Sequence, residues 1–154
     1  GTTATYRRGA PDYCNVLTQG PVSSGVHFFE FVMHKIGDEQ WTGVTEDPQV
    51  AGTRTSLRAH RSCYTYYCGR RRRTGSLTDG LASLHCGGHV EQRMEHVSDG
   101  DTIGLLLDMD GRRAIFLLNG VVQAWCSVPA KPLWPVTHLD ATGDRTELRK
   151  PRAS

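Results

Sequence analysis

Turn signals recur roughly every ten residues along this chain, and that rhythm constrains the fold more than any other feature. They read Gln19-Gly20-Pro21, Gly37-Asp38, Asp47-Pro48, Asp79-Gly80, Gly87-Gly88, Asp99-Gly100, Asp110-Gly111, Asn119-Gly120 and Thr142-Gly143-Asp144. Between them lie short runs rich in Val, Ile, Phe, Tyr and Trp, side chains that suit a pleated, half-buried surface. Short strands at this spacing predict an all-β sandwich. No stretch keeps a helical apolar stripe for more than about two turns, so no amphipathic helix is expected.

The clearest strands follow Thr102. Ile103, Leu105, Leu107 and Met109 share one face by period-two alternation, and Asp108 to Gly111 then turns the chain. The next strand puts Ala114, Phe116 and Leu118 on one side and Arg113, Ile115 and Leu117 on the other. Asn119-Gly120 is a strong hairpin signal, because both residues tolerate the positive φ of a type I′ turn. Val121 to Cys126 returns as the third strand of a meander. Val26 to Met33 is apolar on both faces, as an inner strand requires. Trp41 to Thr45, Tyr64 to Tyr67 and Leu133 to Val136 add shorter strands, the last with Pro135, which predicts an edge or a bulge there.

The chain has 154 residues, 38% hydrophobic and 22% charged, with 17 glycines, which fits one soluble, globular domain with one core. The expected domain is 1–154, with its core over about 20–150. No apolar run reaches membrane-spanning length. The start lacks an initiator Met and a signal-peptide layout, which reads as a fragment of a larger protein. Five cysteines, Cys14, Cys63, Cys68, Cys86 and Cys126, form no CxxC pair and no disulfide framework. Thiols in a reducing compartment follow, hence a cytoplasmic or nuclear expectation.

Charge is unevenly spread. Arg54, Arg58, Arg61, Arg70, Arg71, Arg72 and Arg73 fall in a window with no Asp, Glu or Lys. That window carries +7 against an overall +2, so the rest of the chain carries −5.

Four segments, in order, resemble the SPRY family. Ser24-Gly25-Val26-His27-Phe28-Phe29-Glu30-Phe31 is similar to its SG-x-H-[YF]-[WF]-E strand, and Trp41-Thr42-Gly43-Val44 to its W-x-[VI]-G-[VI] strand with one residue fewer. Asp99 to Asp110, followed by Ile115 to Gly120, resembles the family's GD-x-[IV]-G strand and its NG hairpin. Pro132-Leu133-Trp134-Pro135-Val136 resembles the PL-[YW]-P strand near the family's end. The resemblance spans roughly Ser24 to Leu148. It implies a bent sandwich of two antiparallel sheets with concanavalin-like jelly-roll topology. It also implies a module that grips short segments of partner proteins with loops at one end, without catalytic residues or cofactors. Its members serve in ubiquitin-ligase receptors, calcium-release channels, chromatin complexes and RNA-associated proteins. Members that bind Asn-rich peptides carry a Trp-Gly where this chain reads Asp140-Ala141-Thr142-Gly143, so that specificity is not carried over.

The expected contact surface is Pro21, Val22, Thr45, Arg58, Arg61, Tyr64, Tyr66, Asp140 and Thr142. Guanidinium groups take carboxylate or phosphate bidentately, and tyrosines add flat area with a hydroxyl. The expected ligand is therefore an acidic or phosphorylated peptide. Arg70, Arg71, Arg72 and Arg73 read either as an anion or nucleic-acid contact or as a solvated turn. Arginines interleaved with tyrosines also suit RNA, but no RNA-binding fold signature accompanies them. No metal is expected: His60, Cys63 and Cys68, or His85, Cys86 and His89, hold zinc-type atoms without knuckle spacing, and Cys63 and Cys68 should face opposite sides of a strand. The Asp108-x-Asp110-Gly111 stretch lacks the later ligands of a calcium loop. No GxSxG, P-loop, GxGxxG or HExxH occurs, so no enzyme and no cofactor are expected. Glu30, in an apolar strand, reads as a structural acid. Oligomeric state has no signature in the sequence.

Overall fold

The structure, a computed structural model, describes residues 2–5, 14–18, 20–52, 57, 60–70, 81–139 and 143–150. Among the described residues, twelve strands run β1 (Thr2–Thr5), β2 (Cys14–Leu17), β3 (Val26–Lys35), β4 (Trp41–Thr45), β5 (Cys63–Tyr67), β6 (Ser83–Cys86), β7 (His89–Arg93), β8 (Thr102–Asp108), β9 (Arg113–Leu118), β10 (Val121–Ser127), β11 (Trp134–Leu139) and β12 (Arg145–Arg149). A short 3-10 turn at Pro48–Gly52 is the longest helical piece among the described residues. Two six-stranded antiparallel sheets result, ordered β1-β12-β3-β8-β9-β10 and β2-β11-β4-β5-β6-β7. They form the expected sandwich, because each sheet has one apolar face to hide and the other sheet is what hides it.

The β8–β9–β10 meander forms as its alternation predicts. Ile103, Leu105, Leu107, Met109, Ala114 and Phe116 are buried between the sheets. Phe29, Phe31 and Met33 of β3 meet Val44, Tyr66 and Leu84 from the opposing sheet in the same core. A second apolar cluster lies on the outer face of the second sheet: Trp41, Cys63, Tyr67 and Val136, covered by Val50 and Leu57. Cys63 and Cys68 therefore pack on opposite faces, as expected.

Three features depart from the expectation. Pro135 sits in an inner strand, since β11 lies between β2 and β4. A residue's N and O point the same way in an antiparallel ladder, and the Pro135 carbonyl accepts from Thr18 N at 3.2 Å, on the β2 side where that ladder ends. The missing donor costs no β4 hydrogen bond, so the proline is tolerated away from the edge. Strand β7 had no apolar signal because every residue in it is exposed. Finally, β1 and β2 extend each sheet at the opposite lateral edge, through short polar or mixed segments.

Candidate functional site

Register decides which loops share an end of the sandwich. Thr45 pairs with Cys63 and with Trp134, while Trp41 pairs with Tyr67 and His138. One end thus gathers the chain around Thr45, Cys63 and Trp134, and the other gathers the chain around Trp41, Tyr67 and Leu139. Val22 joins the Thr45 end by a two-way backbone bridge to Leu133, at 2.7 and 3.0 Å, with Pro21 exposed beside it. The β8–β9 turn also lies there, its Asp110 carboxylate accepting from Gly25 N at 3.1 Å.

Thr45 is fully buried. Its hydroxyl donates to Ser62 O at 3.1 Å and accepts from Asp47 N at 3.1 Å. It therefore clamps the loop after β4 onto the turn before β5, and offers no surface of its own. Arg61 is exposed in that turn. Tyr64 is half-buried, on the interior face of β5, at the mouth between the sheets. Burial pushes its phenol up to about 12, aided by the Glu46 carboxylate and the thiols of Cys126, Cys86 and Cys63. It stays a neutral hydrogen-bond donor at any physiological pH.

The structure separates the other expected contacts from this end. Tyr66 is in the core, its ring edge-on to Phe116 and its hydroxyl donating to Glu95 O at 2.5 Å. Arg70 lies at the opposite end. Its guanidinium grips the Glu39 carboxylate at 3.0 and 3.2 Å with Asp38 at 4.0 Å, which raises its pKa. The Tyr67 hydroxyl donates to the same Glu39. Arg70 is therefore a tie between β5 and the β3–β4 turn, which corrects its expected role as an anion contact. Leu139 and Gly143, which flank Asp140 and Thr142, are likewise at the Trp41 end, because Leu139 follows His138 and Arg145 pairs with Lys35. Arg58, Asp140, Thr142, Arg71, Arg72 and Arg73 lie outside the described residues.

No family model matches this chain, and no curated protein does. Solved structures do. The chain is similar to the SPRY domain of human HERC1, with a TM-score of 0.72 at 18% identity over 95% of this chain and 87% of that one. It is similar to a human SPRY domain, with a TM-score of 0.71 at 18% identity over 100% and 94%. It also resembles the TRIM65 PSpry domain, with a TM-score of 0.69 at 16% identity over 99% and 82%. The fold is that of SPRY domains. At this identity the likeness is one of architecture, which leaves function to the site.

On this SPRY fold, both ends of the sandwich carry charges of both signs, the Thr45 end with a slight excess of cations and the Trp41 end with an excess of anions. The Thr45 end carries Arg61, Arg112, Arg113, Lys131 and Lys150, set against Glu46, Asp47, Asp108 and Asp110. Arg113 leans over the exposed Trp125 ring at 5.9 Å and reaches Asp108 at 3.7 Å. Lys150 stands over Phe29 at 5.5 Å. The Trp41 end carries Asp38, Glu39, Asp99, Asp101 and Asp144 against Lys35, Arg70 and Arg145. Sequence reasoning passed over Arg112, Arg113, Lys131 and Lys150 because they are scattered along the chain. Their signal was positional, since each sits in or next to a strand terminus or connecting loop at the same end.

Proposed function

We propose that this chain is a non-enzymatic protein-interaction module, a single SPRY-type domain of a larger cytoplasmic or nuclear protein. It takes a short acidic or phosphorylated segment of its partner at the Thr45 end. The carrying observation is the company Tyr64 keeps there: a neutral phenol at the mouth of the sandwich, with exposed Arg61 in the adjoining turn and Arg112, Arg113, Lys131 and Lys150 at the same end. A carboxylate or phosphate seated there meets a hydroxyl donor and several cations, of which Arg113 alone makes an ion pair among the described residues, a long one to Asp108 at 3.7 Å. Pro21 adds exposed apolar surface, and buried Thr45 holds the loops in place.

Peptide arrays of acidic, phosphorylated and neutral sequences test this directly. Binding should concentrate on the acidic and phosphorylated members. Arg58→Glu with Arg61→Glu should abolish it while leaving the melting temperature within about 2 °C, as expected for surface changes. Undiminished capture by that double variant removes the reading.

A further inference from the structure

Among the described residues, nothing covers the outer face of the first sheet, whose centre is apolar. Cross-strand register aligns Phe28 with Leu106, Leu106 with Ile115, and Ile115 with Trp125, a continuous apolar row across β3, β8, β9 and β10. The next row adds Leu117 and Val122 beside Gly104. Gly104 leaves room for the Phe28 ring to lie over it, since a Cβ there would meet that ring at 3.2 Å and Leu117 at 3.3 Å. Trp125 is 57% exposed, Val122 61% and Val26, at the row's flank, 59%. The second sheet's outer face carries a comparable cluster, but there Val50 and Leu57 of the chain itself cover it. Single exposed apolar residues are ordinary; a contiguous row over four strands on a sheet face is not.

We infer that this face is an interface between two copies of this chain. Charges of both signs flank the row, Arg113 beside Asp108 at 3.7 Å and Glu30 across from Arg149, and Arg113 and Glu30 are placed to pair between copies. Arg113 lies one cross-strand pair to one side of it on β9, and Glu30 one pair to the other side on β3. With strands ~4.8 Å apart and ~3.4 Å per residue, a two-fold axis lying in the interface and passing over Leu106 exchanges those two positions. Arg113 of each copy then meets Glu30 of the other, giving two ion pairs around an apolar centre. The same axis brings Trp125 over Leu117 of the second copy. It crosses the strands of the facing sheets at roughly 70°, nearer the orthogonal (~90°) than the aligned (~30°) class of sheet packing. The face is small, so the dimer belongs with transient assemblies that bury less than ~1,200 Å². It takes up Arg113 at the Thr45 end and leaves Arg61, Lys131 and Tyr64 clear of the interface.

Sedimentation velocity on the whole chain from about 1 to about 500 µM tests this. A reversible monomer–dimer equilibrium is expected within that range. Trp125→Asp, or separately Val122→Glu, should weaken it at least tenfold with melting temperatures unchanged. Arg113→Glu alone and Glu30→Arg alone should each weaken it, while the two singles mixed, or both changes in one chain, should restore it. Charge reversal at Arg58 and Arg61 should leave it intact, which separates this result from the peptide-binding one. A monomer at every concentration overturns the inference. So does a dimer that survives Trp125→Asp and Val122→Glu, or a charge swap that restores nothing.

Discussion

His138 is held neutral inside this protein. It is fully buried against Trp41, with ring centroids 5.2 Å apart. Its Nδ1 lies 2.6 Å from Asn15 Oδ1, and the Asn15 amide nitrogen donates to Val50 O at 3.0 Å. That second bond turns the Asn15 carbonyl toward the imidazole, so Nδ1 carries the proton and donates it. Burial pulls the pKa from 6.5 down to about 4; His60 adds to this and Glu39 opposes it. Between those values the unfolded chain binds a proton that the folded one refuses. Stability is therefore full above about pH 6.5 and is lost as pH falls toward about 4, by up to about 3 kcal/mol. Denaturant unfolding at pH 7 and pH 5 should show this loss, and His138→Gln should flatten it. An unchanged pH slope in that variant would assign the loss to other groups. Gly43 makes a second point at this scale. A Cβ there would run into the Tyr64 carbonyl oxygen and meet Thr65 Cα at 2.8 Å, so Gly43→Ala should push β4 off β5 and cost about 3 kcal/mol or more by chemical denaturation. The glycine was visible in the sequence as part of a strand pattern. The clash that requires it was not, because it comes from a neighbouring strand some twenty residues away.

Among the elements, the β9–β10 hairpin joins local signal to tertiary role. Asn119 and Gly120 adopt φ of 49° and 82°, as a type I′ turn demands. Asn119 does more than tolerate its conformation. Its side-chain oxygen accepts from Thr102 N at 2.9 Å and its amide donates to Asp101 at 3.1 Å, fastening the turn to the start of β8. Asn119→Ala loses both bonds and the favourable left-handed propensity, so it should cost about 1–2 kcal/mol. Asn119→Gly keeps the conformation and should cost less; a reversed order in denaturation midpoints would deny the side chain its role. This meander was legible because alternation, turn residues and burial all agree in one stretch of chain. Elsewhere they part company. β7 is an edge strand exposed throughout, so it has no apolar periodicity to read. β11 reads as an edge strand through Pro135, yet lies inside the sheet because its missing N–H falls where the β2 ladder stops.

For the whole molecule, the arginine-rich window shows why the candidate site was only half legible. Charges adjacent in sequence are divided by β5, which carries the chain from one end of the sandwich to the other. Arg61 stays at the Thr45 end, while Arg70 arrives at the Trp41 end and is taken up by Glu39. In exchange, the β8–β9 turn, the β10–β11 connection and the end of β12 deliver Arg112, Arg113, Lys131 and Lys150 to the Thr45 end from far along the chain. This set of cations, interspersed with Glu46, Asp47, Asp108 and Asp110, is thus assembled by topology, and composition along the chain could not announce it. An acidic peptide approaching a molecule so arranged is steered by the end it meets more than by the small net charge. Stopped-flow association should then slow about tenfold between about 20 mM and about 300 mM salt, as screening shortens the reach of those cations. Arg61→Gln, Arg112→Gln and Lys131→Gln together should flatten that dependence. Lys35→Gln, Arg70→Gln and Arg145→Gln remove the same charge from the other end and should leave it standing. If both triple variants flatten it equally, net charge governs the encounter and the assignment of the ligand to the Thr45 end fails.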